Sequence, residues 1–347
     1  MTYADCSAST PTLPCAIEAF INAPSGNPDS IHTAGRAAKE SLETSRKIVA
    51  ECINAEPDEI YFCSGGTEAN NIVIRSMEEE CLVRTSLDSH VSALLRRGTA
   101  SDTDKTAISL PYVNNETGVI ENPQKIRAEN PKVSLIHYDC VAAVGQTEVD
   151  VKKLDCDYIT AAGHKFGAPQ GIGFIYARHG APLTPMLYGG KQEGGIRPGT
   201  PSVALAAAMA AALKYRTENL QESAEKLWFR NRFLLNYTRE CIEKVYNNAV
   251  LHQWNTVPYI MSYQTVDVPS TALLTLLDAQ GVCCSAGSAC SAQDREPSHV
   301  LLNAGLSVKE ASETIRISIC PETTLTDMDN IAVALRKSVE KYRAIMK

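Results

Sequence analysis

Three groups of residues in this chain are of the types needed to run amino-acid chemistry on an electron-accepting ring. Lys165 stands in Ala161-Ala162-Gly163-His164-Lys165-Phe166-Gly167, after the apolar run Asp157-Tyr158-Ile159-Thr160-Ala161 and before Gly171-Ile172-Gly173-Phe174-Ile175-Tyr176. Both runs read as short buried strands, so Lys165 projects from a strand end. Asp139 closes another apolar run, Val133-Ser134-Leu135-Ile136-His137-Tyr138, 26 residues upstream. A lysine amine able to form a Schiff base and a carboxylate that keeps a pyridinium nitrogen protonated are the pair that pyridoxal phosphate chemistry needs. The third group, Ser64-Gly65-Gly66-Thr67-Glu68-Ala69-Asn70-Asn71, follows the strand-like Glu59-Ile60-Tyr61-Phe62-Cys63 and runs into a helical pattern. Glycines and a threonine at a helix start gather free backbone N–H groups and the positive end of the helix dipole, which suits a phosphate. Each group alone has an ordinary reading, as a surface lysine or a strand-to-helix turn. Together they point to a pyridoxal 5'-phosphate site with Gly66 and Thr67 in the phosphate cradle.

These residues need elements to hold them. Between Gly35 and Asn54, Leu42, Ser45, Val49, Cys52 and Ile53 recur at helical spacing with charges on the other side, which predicts a helix packed on a sheet. The pattern continues as a strand (59–63), a helix (about 67–80), and strands at 106–110, 133–138, and on both sides of Lys165. Strands separated by helices or long crossovers predict an α/β fold around a mainly parallel sheet, with ligands beyond the strand ends. Residues 202–247 read as one or two long helices leading out of this large domain. Strands near 250–254 and 259–264, a helix from Thr271 to Gln280 and a terminal helix from Asp327 to Met346 then predict a smaller α+β domain. The expected division is 1–215 for the large cofactor-binding domain, with the extreme N-terminus packing near the small domain, and 216–347 for the small one.

Composition sets the class. The chain has 347 residues, 44% apolar and 21% charged, as in ordinary soluble proteins. A net charge of -7 argues against a nucleic-acid groove. No run of about 18 apolar residues and no basic-then-apolar N-terminus appears, so a cytoplasmic protein without a membrane partner is expected. Twelve cysteines lie scattered, largely in apolar runs of a chain too large to need disulfide staples, and read mostly as core residues. Cys283, Cys284 and Cys290 have no histidine or second cysteine pair at zinc spacing, so no metal is expected.

Seven stretches in order also carry a resemblance: Asp5-Cys6-Ser7-Ala8-Ser9-Thr10-Pro11, Gly26-Asn27-Pro28-Asp29-Ser30-Ile31-His32, the Gly-Gly-Thr-Glu turn, Asn114-Asn115-Glu116-Thr117-Gly118, Gly163-His164-Lys165, Arg197-Pro198-Gly199-Thr200 and Ser288-Ala289-Cys290. Through them the chain resembles, almost end to end, the cysteine desulfurases of the NifS and IscS type, aminotransferase class V enzymes of fold type I. The resemblance implies a seven-stranded-type sheet in the large domain and a pyridoxal-phosphate-dependent conversion of L-cysteine to L-alanine. Lys165 would remove the α-proton, and Cys290 would attack the substrate sulfur and keep it as a persulfide. His90 matches a histidine that stacks on the pyridine ring and shuttles protons. Asn115 matches a residue near the cofactor and substrate, and Arg316 an arginine that clamps the substrate carboxylate. His164 and Thr67 would serve the phosphate. Thr200 matches a residue that reaches the neighbouring subunit's phosphate, which implies a homodimer. A sulfur-acceptor protein, in iron-sulfur cluster assembly or another pathway, is the implied partner.

The chain departs from the family pattern in several places. Ala142 stands where a glutamine usually bonds the cofactor's phenolic oxygen, and Ala162 where a serine usually bonds the phosphate. Each loss is worth on the order of 1 kcal/mol. Pro321 replaces an arginine present in many members, and the segment from His90 to Asn114 is short, with polar residues 96–104 where relatives carry a strand and helix. Two other readings therefore stand beside desulfuration: a lyase acting on selenocysteine or cystine, and a catalytically impaired dimeric scaffold. The retained Lys165, Asp139, Arg316 and Cys290 speak against the scaffold, which has no need of all four.

Overall fold

A computed structural model of the chain describes residues 1–85, 105–287 and 297–346. His90 and Cys290 lie outside the described residues. The chain divides into two compact units: a larger one of Thr10–Tyr112 and Glu121–Leu220, and a smaller one of Met1–Ser9, Val113–Ile120 and Gln221–Lys347.

With elements numbered along the chain, β1 (Thr2–Tyr3) belongs to the smaller unit. The larger unit opens with α1 (Pro14–Asn22) and α2 (Thr33–Ile53). Pro14 stands in the first turn of α1, where its missing N–H costs nothing. The His32 ring accepts from the Gly35 N–H to cap α2, and Leu42, Ser45, Val49 and Ile53 are buried along one side, as their spacing predicts. There follow β2 (Ile60–Cys63), α3 (Gly66–Glu80), β3 (Leu82–Thr85), β4 (Thr106–Pro111), α4 (Pro123–Glu129) and β5 (Leu135–Asp139). α5 (Val151–Leu154), β6 (Tyr158–Ala162), β7 (Gly173–Ala177) and α6 (Val203–Glu218) complete the unit.

Among the described residues the larger unit has six strands, which pair in the order β2-β7-β6-β5-β4-β3. From β3 to β6 every pairing is parallel, and β7 runs antiparallel to both β6 and β2. β2 therefore points the same way as β4, β5 and β6, and their C-terminal ends share one edge, where open α/β sheets hold ligands. Every residue of β6 and β7 is buried, which explains why both read as continuous apolar runs rather than alternations. Because β2 and β3 lie at opposite sides of the sheet, α3, which joins them, has to cross its face. Ala69, Ile72, Val73 and Met77 of α3 are buried there in one cluster with Ala107, Tyr158 and Ile175 of the strands. Burial of each large apolar side chain in that cluster stabilises the crossing by about 1.5–3 kcal/mol.

In the smaller unit, α7 (Leu220–Cys241, nearly all of it here) leads to β8 (Val245–Asn247) and α8 (Asn248–Leu251). The strand expected near 250–254 is thus not formed. The Asn247 side chain accepts from the Val250 N–H, which ends β8 and starts a single helical turn. β9 (Ile260–Thr265), α9 (Ser270–Asp278), β10 (Val282–Cys283), α10 (His299–Asn303), α11 (Val308–Ser312), β11 (Thr314–Ser318) and α12 (Leu325–Ile345) follow. β9 is the central strand of an antiparallel sheet ordered β11-β9-β8, and β1 pairs in parallel with β10. Among the described residues no helix is long and apolar enough to cross a membrane.

Candidate active site

In the larger unit the strand topology alone sets Asp139, Lys165 and the start of α3 at one sheet edge. Lys165 ends a 3-10 turn, Gly163–Lys165, that directly follows β6. The turn is pinned through its backbone: Thr10 Oγ1 and Gln146 Nε2 both donate to the Lys165 carbonyl, at 2.8 and 2.9 Å, and the Thr10 N–H donates to that of His164. A side chain at Gly163 would press on Ala168 and Ile172 at 3.0 Å, so close packing requires the glycine. Burial and the adjacent Lys165 charge push the His164 imidazole down to about 4, leaving it neutral at physiological pH.

Asp139 ends β5. Its carboxylate accepts from Asn70 Nδ2 at 2.8 Å and from the Val141 N–H at 2.9 Å, and Asn70 comes from the first half of α3. The crossing helix thus fixes the carboxylate on the strand below it. At the other end of the same stretch Gly65 adopts φ 156 and ψ -176, a conformation open only to glycine, and no side chain caps α3. A Cβ on Gly66 would stand 2.6 Å from Val141 Cγ2 and 3.6 Å from the Ala162 Cβ. Ala162 therefore borders the first turn of α3, where a serine would add a donor and the alanine adds none.

These observations test whether pyridoxal phosphate suits the site. An uncapped helix start with a backbone too tight for a Cβ, an anchored carboxylate and a lysine stand at ends of strands that point the same way. That set of groups fits the cofactor.

Two anchors of this region were not read from the sequence. Glu68, one residue past Thr67, pairs with Arg197 Nε at 3.0 Å and accepts from the Ser64 N–H. Glu193 forms a two-pronged pair with Arg46 of α2, both contacts at 2.8 Å, and also accepts from the Phe62 N–H. Thr200 shares a small pocket with Ser64, Arg197 and Glu193. The loop that carries Thr200 is thereby tied to β2, α2 and the first turn of α3. Nothing in the sequence pairs these charges, since 147 positions separate Arg46 from Glu193.

In the smaller unit Arg316 lies on β11 and is 2% exposed. Its Nη2 meets Asp5 Oδ1 at 2.7 Å, and its Nη1 donates to the Asn115 carbonyl at 2.8 Å. Ser285 Oγ donates to the second oxygen of Asp5 at 2.7 Å, and Ser7 Oγ to the Asn115 carbonyl at 3.1 Å. Among the described residues Arg316 Nε has no hydrogen-bond partner. The sequence offered Asp5 only as part of a shared stretch; it is the residue that aligns the arginine. Asn114 Oδ1 accepts from the N–H groups of Glu116 and Thr117, which folds 113–118 into the turn that presents Asn115. Gly118 at φ 75 closes this turn 2.9 Å from the Ile260 carbonyl, measured from where its Cβ would be. Glu116, buried, accepts from Ser298 Oγ at 2.5 Å, and a Cβ on Gly287 would stand 3.2 Å from the same Glu116 oxygen.

β10 takes in Cys283 and stops before Cys284, and both thiols are partly buried. Burial, reinforced by the Asp5 charge, pushes the Cys284 thiol up to about 12. Among the described residues no group of three metal-ligating side chains converges.

Known proteins resemble this chain along nearly its whole length. The chain is 32% identical to a cysteine desulfurase IscS of Methanosarcina thermophila, over 98% of this chain and 92% of the relative. It is 30% identical to an IscS-like cysteine desulfurase of Mycobacterium tuberculosis, over 99% and 97%. A crystal structure of a NifS-like protein from Rickettsia africae superposes with a TM-score of 0.87 at 27% identity, covering 98% of this chain and 99% of the other. The family model for aminotransferase class V matches residues 2–94 and 93–331, which takes in the α3 turn, Asp139, Lys165 and Arg316 alike, and the chain belongs to that family.

Proposed function

We propose that this chain is a pyridoxal-phosphate-dependent cysteine desulfurase that turns L-cysteine into L-alanine and holds the released sulfur as a persulfide on Cys290. The observation that carries this reading is the placement of Asp139, Lys165 and the uncapped start of α3 at one sheet edge. When bound, the cofactor supplies an aldehyde carbon that captures an amine and a ring that takes up electrons.

The chain's own groups do the rest. The first-turn N–H groups of α3 around Gly66 and Thr67, with neutral His164, would hold the phosphate, and Asp139 would keep the ring nitrogen protonated. Arg316, aligned by Asp5, would take the substrate α-carboxylate beside Asn115. Lys165 Nζ would hold the cofactor's aldehyde carbon and move the proton from the substrate Cα. The Cys290 thiolate attacks the substrate sulfur: an S–S bond forms as the substrate's C–S bond breaks, and the carbon so released takes up a proton to become the methyl group of alanine. His90 matches a ring-stacking proton carrier. Thr200, on its anchored loop, serves the phosphate of a second copy, so the working form is a homodimer in the cytoplasm that passes sulfur to an acceptor protein.

Purified protein loaded with pyridoxal phosphate is expected to be yellow and to release alanine and transferable sulfur from L-cysteine. Alanine without protein-bound sulfur, or faster turnover of selenocysteine or cystine, would replace this reading by the lyase.

Arg316→Lys supplies a further check. A lysine keeps the charge but loses the two-pronged geometry that Asp5 and the Asn115 carbonyl align. The KM for L-cysteine should rise about tenfold or more, with a smaller change in kcat. An unchanged KM in steady-state assays removes Arg316 from the carboxylate site.

A further inference from the structure

We propose that Ser109, His137, Thr160 and Asn70 form a one-way hydrogen-bond chain that positions Asp139 and steadies its negative charge; its purpose rests on the cofactor reading above. β4, β5 and β6 are parallel neighbours, with Ser109 paired to His137 and Asp139 paired to Thr160. His137 and Asp139, two apart on β5, share a face, and α3 lies over it with Asn70. Ser109, His137 and Thr160 are 0% exposed and Asn70 is 6% exposed. The middle of a covered parallel sheet is ordinarily apolar, and polar groups persist there only when they bond one another.

Here they do. Ser109 Oγ lies 2.8 Å from His137 Nδ1, His137 Nε2 lies 3.0 Å from Thr160 Oγ1, Thr160 Oγ1 lies 2.5 Å from Asn70 Oδ1, and Asn70 Nδ2 lies 2.8 Å from Asp139 Oδ2.

The proton positions follow from one end. A carboxylate only accepts, so Asn70 presents its Nδ2 to Asp139 and its Oδ1 to Thr160. The single hydroxyl proton of Thr160 then goes to Asn70, and the Thr160 oxygen must accept from His137 Nε2. Complete burial pushes the His137 imidazole down to about 3, so the ring is neutral and its one proton sits on Nε2. Nδ1 is then an acceptor, and Ser109 donates to it. Every donor in the chain points toward Asp139. Each link polarises the next, and the sum acts on the carboxylate through Asn70. None of the four touches the reacting atoms; they act through Asp139 as positioning residues.

Two measurements test this. In the first, the cofactor-free protein is labelled with 15N-histidine, and the His137 signal is assigned as the one lost in His137→Leu. It should show the Nε2–H tautomer alone and stay unchanged from about pH 5.5 to 8.5, where exposed imidazoles titrate. A proton on Nδ1, a mixture of tautomers, or titration in that range overturns the chain. In the second, the affinity of cofactor-free protein for pyridoxal phosphate is measured by fluorescence quenching for Thr160→Val and Thr160→Ser. Valine keeps the shape and removes the link, and should weaken binding roughly tenfold and mix the His137 tautomers. Serine restores the hydroxyl and should bring both readouts back, which a purely structural role would not require. Wild-type affinity in Thr160→Val overturns the role of the chain. Wild-type protein that binds no pyridoxal phosphate overturns the proposed function and with it the purpose of the chain, while the imidazole signal still reports whether the chain exists.

Discussion

Lys165→Ala is expected to lower alanine release from L-cysteine by about three to four orders of magnitude and to leave the melting temperature near that of the wild type. The two halves of this result have separate causes. Turnover falls because the amine that moves the proton from Cα is gone. His164 is adjacent, but burial, the larger cause of its lowered basicity, persists in the variant and keeps its imidazole a weak base. The fold survives because the turn is held through carbonyl oxygens, with Thr10 and Gln146 both donating to the backbone of residue 165 whatever side chain it bears. The yellow absorbance of the bound cofactor should disappear, and added small amines should recover part of the turnover by carrying the proton in place of Nζ. A Lys165→Ala protein that releases alanine within tenfold of the wild-type rate would remove Lys165 from the proton-transfer role.

Much of the larger unit could be read from the chain because its signals are local. Apolar runs that are buried on both faces, such as 158–162 and 173–177, announce a covered sheet, the glycines at 66 and 163 mark places where a Cβ would crowd its neighbours, and Gly65 marks a backbone conformation left to glycine. What escaped is non-local. Asp5 meets Arg316 across 311 positions, and Asn70 meets Asp139 across 69. His137 and Thr160 sat inside runs read as strands, where a histidine and a threonine pass for ordinary occupants; only the strand register puts them on one face with Asp139. One misread element, the strand near 250–254, shows how a local signal fails. Asn247 can end a strand or cap a helix, and the choice is made by which N–H its side chain reaches.

Cys290→Ser is expected to keep the cofactor's colour and lose at least about a hundredfold in sulfur release, because serine retains the size of the side chain but lacks a nucleophile able to bond the substrate sulfur. The eleven other cysteines are poor substitutes, for stated reasons. Burial raises the thiols of Cys52, Cys63, Cys81, Cys140 and Cys156, and brings Cys63 to about 12. Cys284, a few residues from Cys290, is held up to about 12 by burial and by the Asp5 charge, so almost none of it is thiolate at neutral pH. Cys320 is made more acidic, chiefly by a hydrogen bond with Cys6, but it is buried and tied to that partner, and Cys6 is correspondingly raised. Cys15, Cys241 and Cys283 fall in none of the seven stretches that carry the resemblance. Cys290 instead stands in the sequence among Ser288, Ala289, Ser291 and Ala292, all small residues, and in one of the seven stretches that carry the resemblance. Brief exposure of the cofactor-loaded protein to L-cysteine, followed by mass mapping of its peptides, should therefore place the added sulfur on Cys290. Persulfide on Cys284 together with an active Cys290→Ser protein would transfer the nucleophile to Cys284, and would require water to reach that buried thiol during turnover so that its proton can leave.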